Sequence, residues 1–182
     1  MAIQSPQNIE VNIKNPYILA VVILRLAAYG LMIYSPFEGL ILSMVLDSID
    51  QYFFAWGNIS KEYYHLWDKP IDFIGYPVIL YLSFFTPIFP VMLILFIYRS
   101  LGHLIYAFKK NTKIFILFPN IFEYYFLAYL IIERFKLDFS IDDWRLWVGL
   151  IVFKLVHEVY VHIFPNDTAY KLVPIIKRRL NR

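Results

Sequence analysis

The chain has 182 residues, 60% hydrophobic, 20% aromatic and only 17% charged, with a mean hydropathy of +0.57 and a formal net charge of +3, against roughly 45–50% apolar and about 25% charged in an ordinary soluble domain. This composition excludes a soluble globular enzyme, a disordered chain and a disulfide scaffold, since a soluble fold of this size buries only about 70% of its unfolded surface and would present Phe, Tyr and Leu to water. With no cysteine, thiol catalysis and thiolate metal sites are out, and the small positive charge with no basic, aromatic-interleaved stripe excludes nucleic acid as a partner.

Residues 1–15 are polar and read as a cytoplasmic arm. They are not a signal peptide: no positive charge directly precedes a short apolar run, and no small-residue cleavage site follows. Six apolar runs of the length that a ~30 Å hydrocarbon core demands come next, at about 16–34, 36–56, 68–85, 87–108, 114–134 and 143–164. Turn residues separate them: Ser35-Pro36, Gly57-Asn58, Thr86-Pro87, Lys109 to Lys113, Asp138 to Asp143 and Pro165-Asn166-Asp167. The runs are continuous, not alternating, so the expected fold is an all-α integral membrane protein, a six-transmembrane-helix bundle over residues 16–164. Residues 165–182 form a basic cytoplasmic tail, whose cations each gain about 1 kcal/mol near anionic headgroups.

With six spans, Lys14, Lys61, Lys69, Arg99, Lys109, Lys110, Lys113, Lys171, Lys177, Arg178, Arg179 and Arg182 fall on the side of the termini. Arg134, Lys136 and Arg145 fall opposite, and Arg25 and Lys154 sit inside spans. Both termini are therefore expected in the cytoplasm. Trp67, Trp144 and Trp147 read as interfacial anchors.

An ionised Asp at the centre of a span costs roughly 2.5–3.5 kcal/mol unless it faces water or a partner. Asp47 and Asp50 nevertheless lie in SMVLDSIDQYFF of the second run, and Asp68 and Asp72 in LWDKPIDFIGY of the third. Offsets of three and four residues put each pair on one helix face, so the four carboxylates are expected to converge and to attract a hard divalent cation with oxygen ligands. For Asp68 alone an N-cap of the third helix is an equally good reading.

These residues resemble the CDP-alcohol phosphatidyltransferase family, whose second and third spans carry D-x2-D-G-x2-A-R-x8-G-x3-D-x3-D. Asp47, Asp50, Asp68 and Asp72 match its four aspartates, while Gln51, Phe54, Ala55 and Tyr64 replace its Gly, Ala, Arg and second Gly. Asn15 and Arg25 in NPYILAVVILRL are similar to the family's first span. The resemblance implies a membrane transferase of phospholipid synthesis that moves a phosphatidyl or related phospho-alcohol group from a CDP-linked lipid donor to an alcohol acceptor. It implies Mg2+ or Mn2+ held by Asp47, Asp50, Asp68 and Asp72, with Asp72 as catalytic base. Lys61, Lys69, Arg99, Lys109 and Lys110, in the two cytoplasmic connections, are the candidate substrate-binding cations. The lipid bilayer is the implied partner, and a homodimer the implied assembly. The replaced motif residues leave a second reading open, a non-catalytic relative that binds metal or a phosphorylated ligand. A cation transporter would call for paired, Gly-interrupted helices, which the sequence lacks.

In KLVHEVYVHIF, His157 and His162 are five residues apart, about 140° round a helix, which is not the four-residue zinc-protease spacing. Lys154 and Glu158 read instead as an internal i, i+4 pair. Asn120 and Glu123 are expected to face the cavity, with Arg25 as a charge partner.

Overall fold

Asn15 starts the first helix: its side chain accepts the Tyr17 N–H at 3.0 Å, and Pro16 takes the first helical position, where no N–H is needed. The computed structural model describes residues 15–163 and 168–180, and the described residues form eight α-helices without a strand. They are α1 Pro16–Tyr34, α2 Pro36–Trp56, α3 Lys61–Ser83, α4 Phe89–Lys109, α5 Ile114–Leu117, α6 Ile121–Phe135, α7 Trp144–Ile163 and α8 Thr168–Leu180. The arm before Asn15, the Pro165-Asn166-Asp167 turn, Arg182 and the His162 side chain lie outside the described residues.

The α1–α2 corner is a single residue, Ser35, followed by Pro36, and these two helices pack closely over their length. Gly39 permits that approach, because a Cβ there would lie 2.3 Å from the Met32 Cα. Met32, Leu40, Tyr76, Ile79, Met92, Phe122 and Phe126 fill the core that α1, α2, α3, α4 and α6 share. The outward faces are apolar as well: Ile23 on α1, Ile94, Ile97, Leu101 and Leu104 on α4, and Val152 and Val156 on α7 are all exposed. By length and composition α1 and α4 are apolar enough to cross a membrane. The helices thus follow the expected runs, and the structure supports an all-helical fold with two candidate spans.

Two boundaries differ from the sequence reading. First, α3 begins seven residues earlier than expected, at Lys61, because the Ser60 side chain caps it by accepting the Tyr63 N–H. Asp68 therefore sits two turns inside the helix and caps nothing, and the N-cap reading fails. Pro70 and Pro77 lie within α3, each removing one i→i−4 hydrogen bond. Second, the run at 114–134 divides into α5 and α6 at Phe118-Pro119-Asn120, since Pro119 lacks the N–H to continue a helix and disfavours helical geometry at Phe118. Two carbonyls at the break find side-chain donors: the Tyr98 hydroxyl donates to Leu117 O and Arg99 Nη1 donates to Phe118 O. Gly102 makes room for the break, as a Cβ there would fall 2.6 Å from that of Phe118.

The basic tail is a helix, α8, with Ala169 and Val173 packed on Ala55 of α2. Lys177 Nζ donates to Trp56 O and to Asn58 Oδ1. Leu172, Ile175, Ile176 and Leu180 remain exposed beside Lys171, Arg178 and Arg179.

Gly39→Leu should separate α1 from α2 and destabilise the protein by about 1–3 kcal/mol, read as a lower midpoint of thermal unfolding in micelles. Gly30→Ala, where an added Cβ meets nothing within 4 Å, should leave that midpoint unchanged or raise it.

Candidate functional site

Helical spacing carries Asp47 and Asp50 on one face of α2 and Asp68 and Asp72 on one face of α3, and the two faces meet. What joins them is Arg25 of α1, 3% exposed. Its Nη1 lies 3.0 Å from Asp47 Oδ1, 2.8 Å from Asp50 Oδ2 and 3.2 Å from Asp68 Oδ1. Its Nη2 lies 2.5 Å from Asp72 Oδ1. Lys69 closes the other side, with Nζ 2.6 Å from Asp68 Oδ2 and 3.1 Å from Asp72 Oδ2. The Tyr64 hydroxyl donates to Asp50 Oδ1 at 2.9 Å. One turn below Arg25, the Tyr29 hydroxyl donates to Ile71 O at 3.0 Å, and Gly75 leaves space for that ring, 2.7 Å from where its Cβ would be.

Asp50 and Asp68 are buried, whereas the Asp47 side chain is half-exposed. Oxygens of Asp47, Asp50 and Asp68 lie within 4.8 Å of one another and could hold a metal ion. The donor set fits a hard divalent ion: three carboxylates, no nitrogen or sulfur, and a residual charge of minus two once Arg25 and Lys69 are set against the four aspartates. Asp72 stands outside that trio and is tied to it through Arg25 and Lys69.

Asp47, Asp68 and Asp72 of the acidic nest line one wall of a cavity of about 520 Å³, together with Arg25, Tyr64 and Lys69. The facing wall carries Arg99, Lys154, His157, Glu158, Asn120 and Glu123. The expected Lys154–Glu158 pair is present at 3.5 Å, and Glu158 also accepts the Asn120 N–H at 3.3 Å and lies 3.9 Å from Arg99 Nη1. Asn120 and Glu123 do face the cavity, joined by a 2.8 Å hydrogen bond. Their expected partner Arg25 is taken by the aspartates, which offer four anionic groups to Glu123's one.

Of the cations singled out from sequence, Lys61 and Lys69, which lie within α3 and not in a connection, line the cavity. Arg99 does too, but from inside α4: it is buried, its Nε donates to the Tyr76 hydroxyl at 3.2 Å, and it is not in a connection. Lys109 and Lys110 end α4 on exposed surface away from the cavity. Lys110 instead borders an apolar groove between α3 and α4 lined by Phe73, Phe96 and Leu104. The role of Arg25 was missed. A lone arginine within an apolar first run is the signal that could have found it, because the next two runs carry four aspartates against the one carboxylate of Glu123, its expected partner.

The residues that depart from the resembled motif have local structural roles. Phe54 packs edge-on against Tyr64 at 5.2 Å, Ala55 lies under α8, and Gln51 lines the cavity. Comparison with family models, with curated proteins and with solved structures gave no match. The site therefore defines a class by its chemistry alone: a helical protein with a buried acidic nest on the wall of a polar cavity.

Replacing Arg25 leaves buried carboxylates uncompensated, a loss worth about 3–5 kcal/mol when one partner of a buried pair is removed. Arg25→Met in chelator should unfold at a correspondingly lower temperature than the parent chain. Millimolar Mg2+ should recover part of the difference, a recovery absent when Asp47 is also changed to Asn.

Proposed function

We propose that the protein is an integral membrane transferase that moves a phosphatidyl or related phospho-alcohol group from a CDP-linked lipid donor to an alcohol acceptor, with Mg2+ or Mn2+ as cofactor. The observation that carries this reading is the convergence of Asp47, Asp50, Asp68 and Asp72 about Arg25, three of them (Asp47, Asp68 and Asp72) on the wall of a polar cavity inside a helical bundle with an apolar exterior. The same reading has α1, α2, α3, α4, the α5–α6 pair and α7 as six spans, both termini cytoplasmic, and α8 along the inner surface. The resemblance further supports a homodimer.

Asp47, Asp50 and Asp68 would hold the metal, which when bound neutralises phosphate charge and polarises phosphorus. The acceptor oxygen attacks the lipid-side phosphorus, the bond from that phosphorus to the CMP oxygen breaks, and the acceptor proton passes to Asp72. In the structure both Asp72 oxygens carry a cation, Arg25 on one and Lys69 on the other. An arriving phosphate competes for Lys69, and its departure uncovers Asp72 Oδ2, so the base becomes available only with donor in place. Lys61, Arg99 and Lys154 are the other cavity cations that can meet phosphate oxygens.

A second reading is favoured by one observation. Arg25 reaches all four aspartates, which is also how a chain without turnover would keep the nest folded. It gives a non-catalytic relative that binds metal or a phosphorylated ligand.

The purified chain in nanodiscs should release CMP from CDP-diacylglycerol in a Mg2+- or Mn2+-dependent manner with some member of a panel of acceptor alcohols. Asp72→Asn should slow release by about 10²–10⁴-fold, the range of a lost general base. An unchanged rate in that variant removes Asp72 from the chemistry. No release from any CDP-linked donor selects the non-catalytic reading.

A further inference from the structure

Phosphoryl-transfer sites built on clustered carboxylates commonly hold two divalent ions about 3.5–4 Å apart. Here a guanidinium nitrogen already stands at the centre of the cluster. Arg25 Nη1 is within 3.2 Å of one oxygen on each of Asp47, Asp50 and Asp68, so a first ion is left the other oxygens of the three carboxylates, and a second ion shared by the oxygens that Arg25 holds would have to take its place. Arg25 is buried and fixed from α1, with its other terminal nitrogen on Asp72, so it does not leave as a solvated cation would. The remaining lone pairs are also partly committed: Asp50 Oδ1 accepts from Tyr64, and Asp68 Oδ2 and Asp72 Oδ2 face Lys69. Asp47 and Asp68 of the trio line the cavity, and of the two only Asp47 is substantially exposed. Four carboxylates against two side-chain cations leave a charge of minus two, which one divalent ion cancels and two would overturn.

We infer that Arg25 is a tethered cation standing in for a second metal ion, so that Asp47, Asp50 and Asp68 take one divalent ion and not two. The inference rests on the metal-dependent reading above and narrows it. Arg25 is thereby a positioning residue: it sets the number of ions, and through Asp72 it holds the base beside the one that binds.

The test counts ions in the full chain in nanodiscs, using Mn2+ alone, by calorimetry and by electron paramagnetic resonance of bound Mn2+. The parent chain should bind one Mn2+ per chain and show no spin coupling between neighbouring ions at saturation, and Asp47→Asn should weaken that binding at least tenfold. Arg25→Gln should bind two, with coupling in the spectrum, while Arg25→Lys, which keeps the charge, should bind one. Two coupled ions in the parent chain, or one ion in Arg25→Gln, overturns the stand-in role and leaves metal dependence intact. No bound ion in the parent chain overturns both, and the CMP-release assay then stands as the separate check on turnover. If Arg25→Gln does not fold, the parent stoichiometry and spectrum decide, together with Arg25→Lys, for which two ions would be an overturning result.

Discussion

Four carboxylates cannot be held within a few ångströms of one another in a low-dielectric interior without counter-charge, and the rest of the structure follows from how this chain supplies it. Arg25 comes from α1, the helix that the corner at Ser35-Pro36 folds back against α2. The guanidinium suits the task because its planar fork offers several donors at fixed angles, so one side chain can meet Asp47, Asp50, Asp68 and Asp72 at once. A lysine at the same place would be a point charge with a shorter reach. The features that look incidental nearby, Gly39 against Met32 and Gly75 against Tyr29, are what let α1 come close enough for Arg25 to enter the nest.

The far wall of the cavity is organised by a different constraint. Pro119 stops the fifth apolar run after one turn, and the carbonyls it frees must find donors in an environment where unsatisfied backbone is costly. Tyr98 and Arg99 supply them from α4. Arg99 is consequently drawn into the bundle, where Glu158, Lys154 and Asn120 gather round it. This wall is balanced, two cations against Glu123 and Glu158, whereas the aspartate wall keeps an excess negative charge. The asymmetry gives the cavity a direction: the excess negative charge lies on the α2–α3 side, across from Arg99 and Lys154.

Much of this was legible in the sequence because hydropathy and helix spacing are local. The starts of α1 and α2 and the end of α4 fall within a residue or so of the apolar runs, and offsets of three and four place the aspartates on shared faces before any tertiary contact is known. The early start of α3 was hidden because Lys61 to Trp67 is too polar to read as a span, although Ser60 is a capping residue. The break at Pro119 was hidden for the opposite reason, since the hydropathy on either side of it is continuous. Arg25 and Arg99 were misassigned because charge partners are chosen by tertiary geometry. A count by side of the membrane treats Arg99 as a topology signal, while the structure uses it to cap a broken helix.

The replaced motif positions form a consistent set when set against the geometry. Where the resembled pattern has a glycine, Tyr64 brings a hydroxyl to Asp50, and where it has an alanine, Phe54 supports the Tyr64 ring. Where the pattern has an arginine on α2, Ala55 leaves the small surface on which Ala169 and Val173 of α8 pack. The nest has its guanidinium from α1, where Arg25 meets all four carboxylates. Unpaired carboxylates are costly inside a bundle. Here all four are paired, by Arg25 from α1 and by Lys69, and Tyr64 adds a hydrogen-bond donor to Asp50, so the charge at this point of the cavity is held in a narrow space without an orphaned carboxylate.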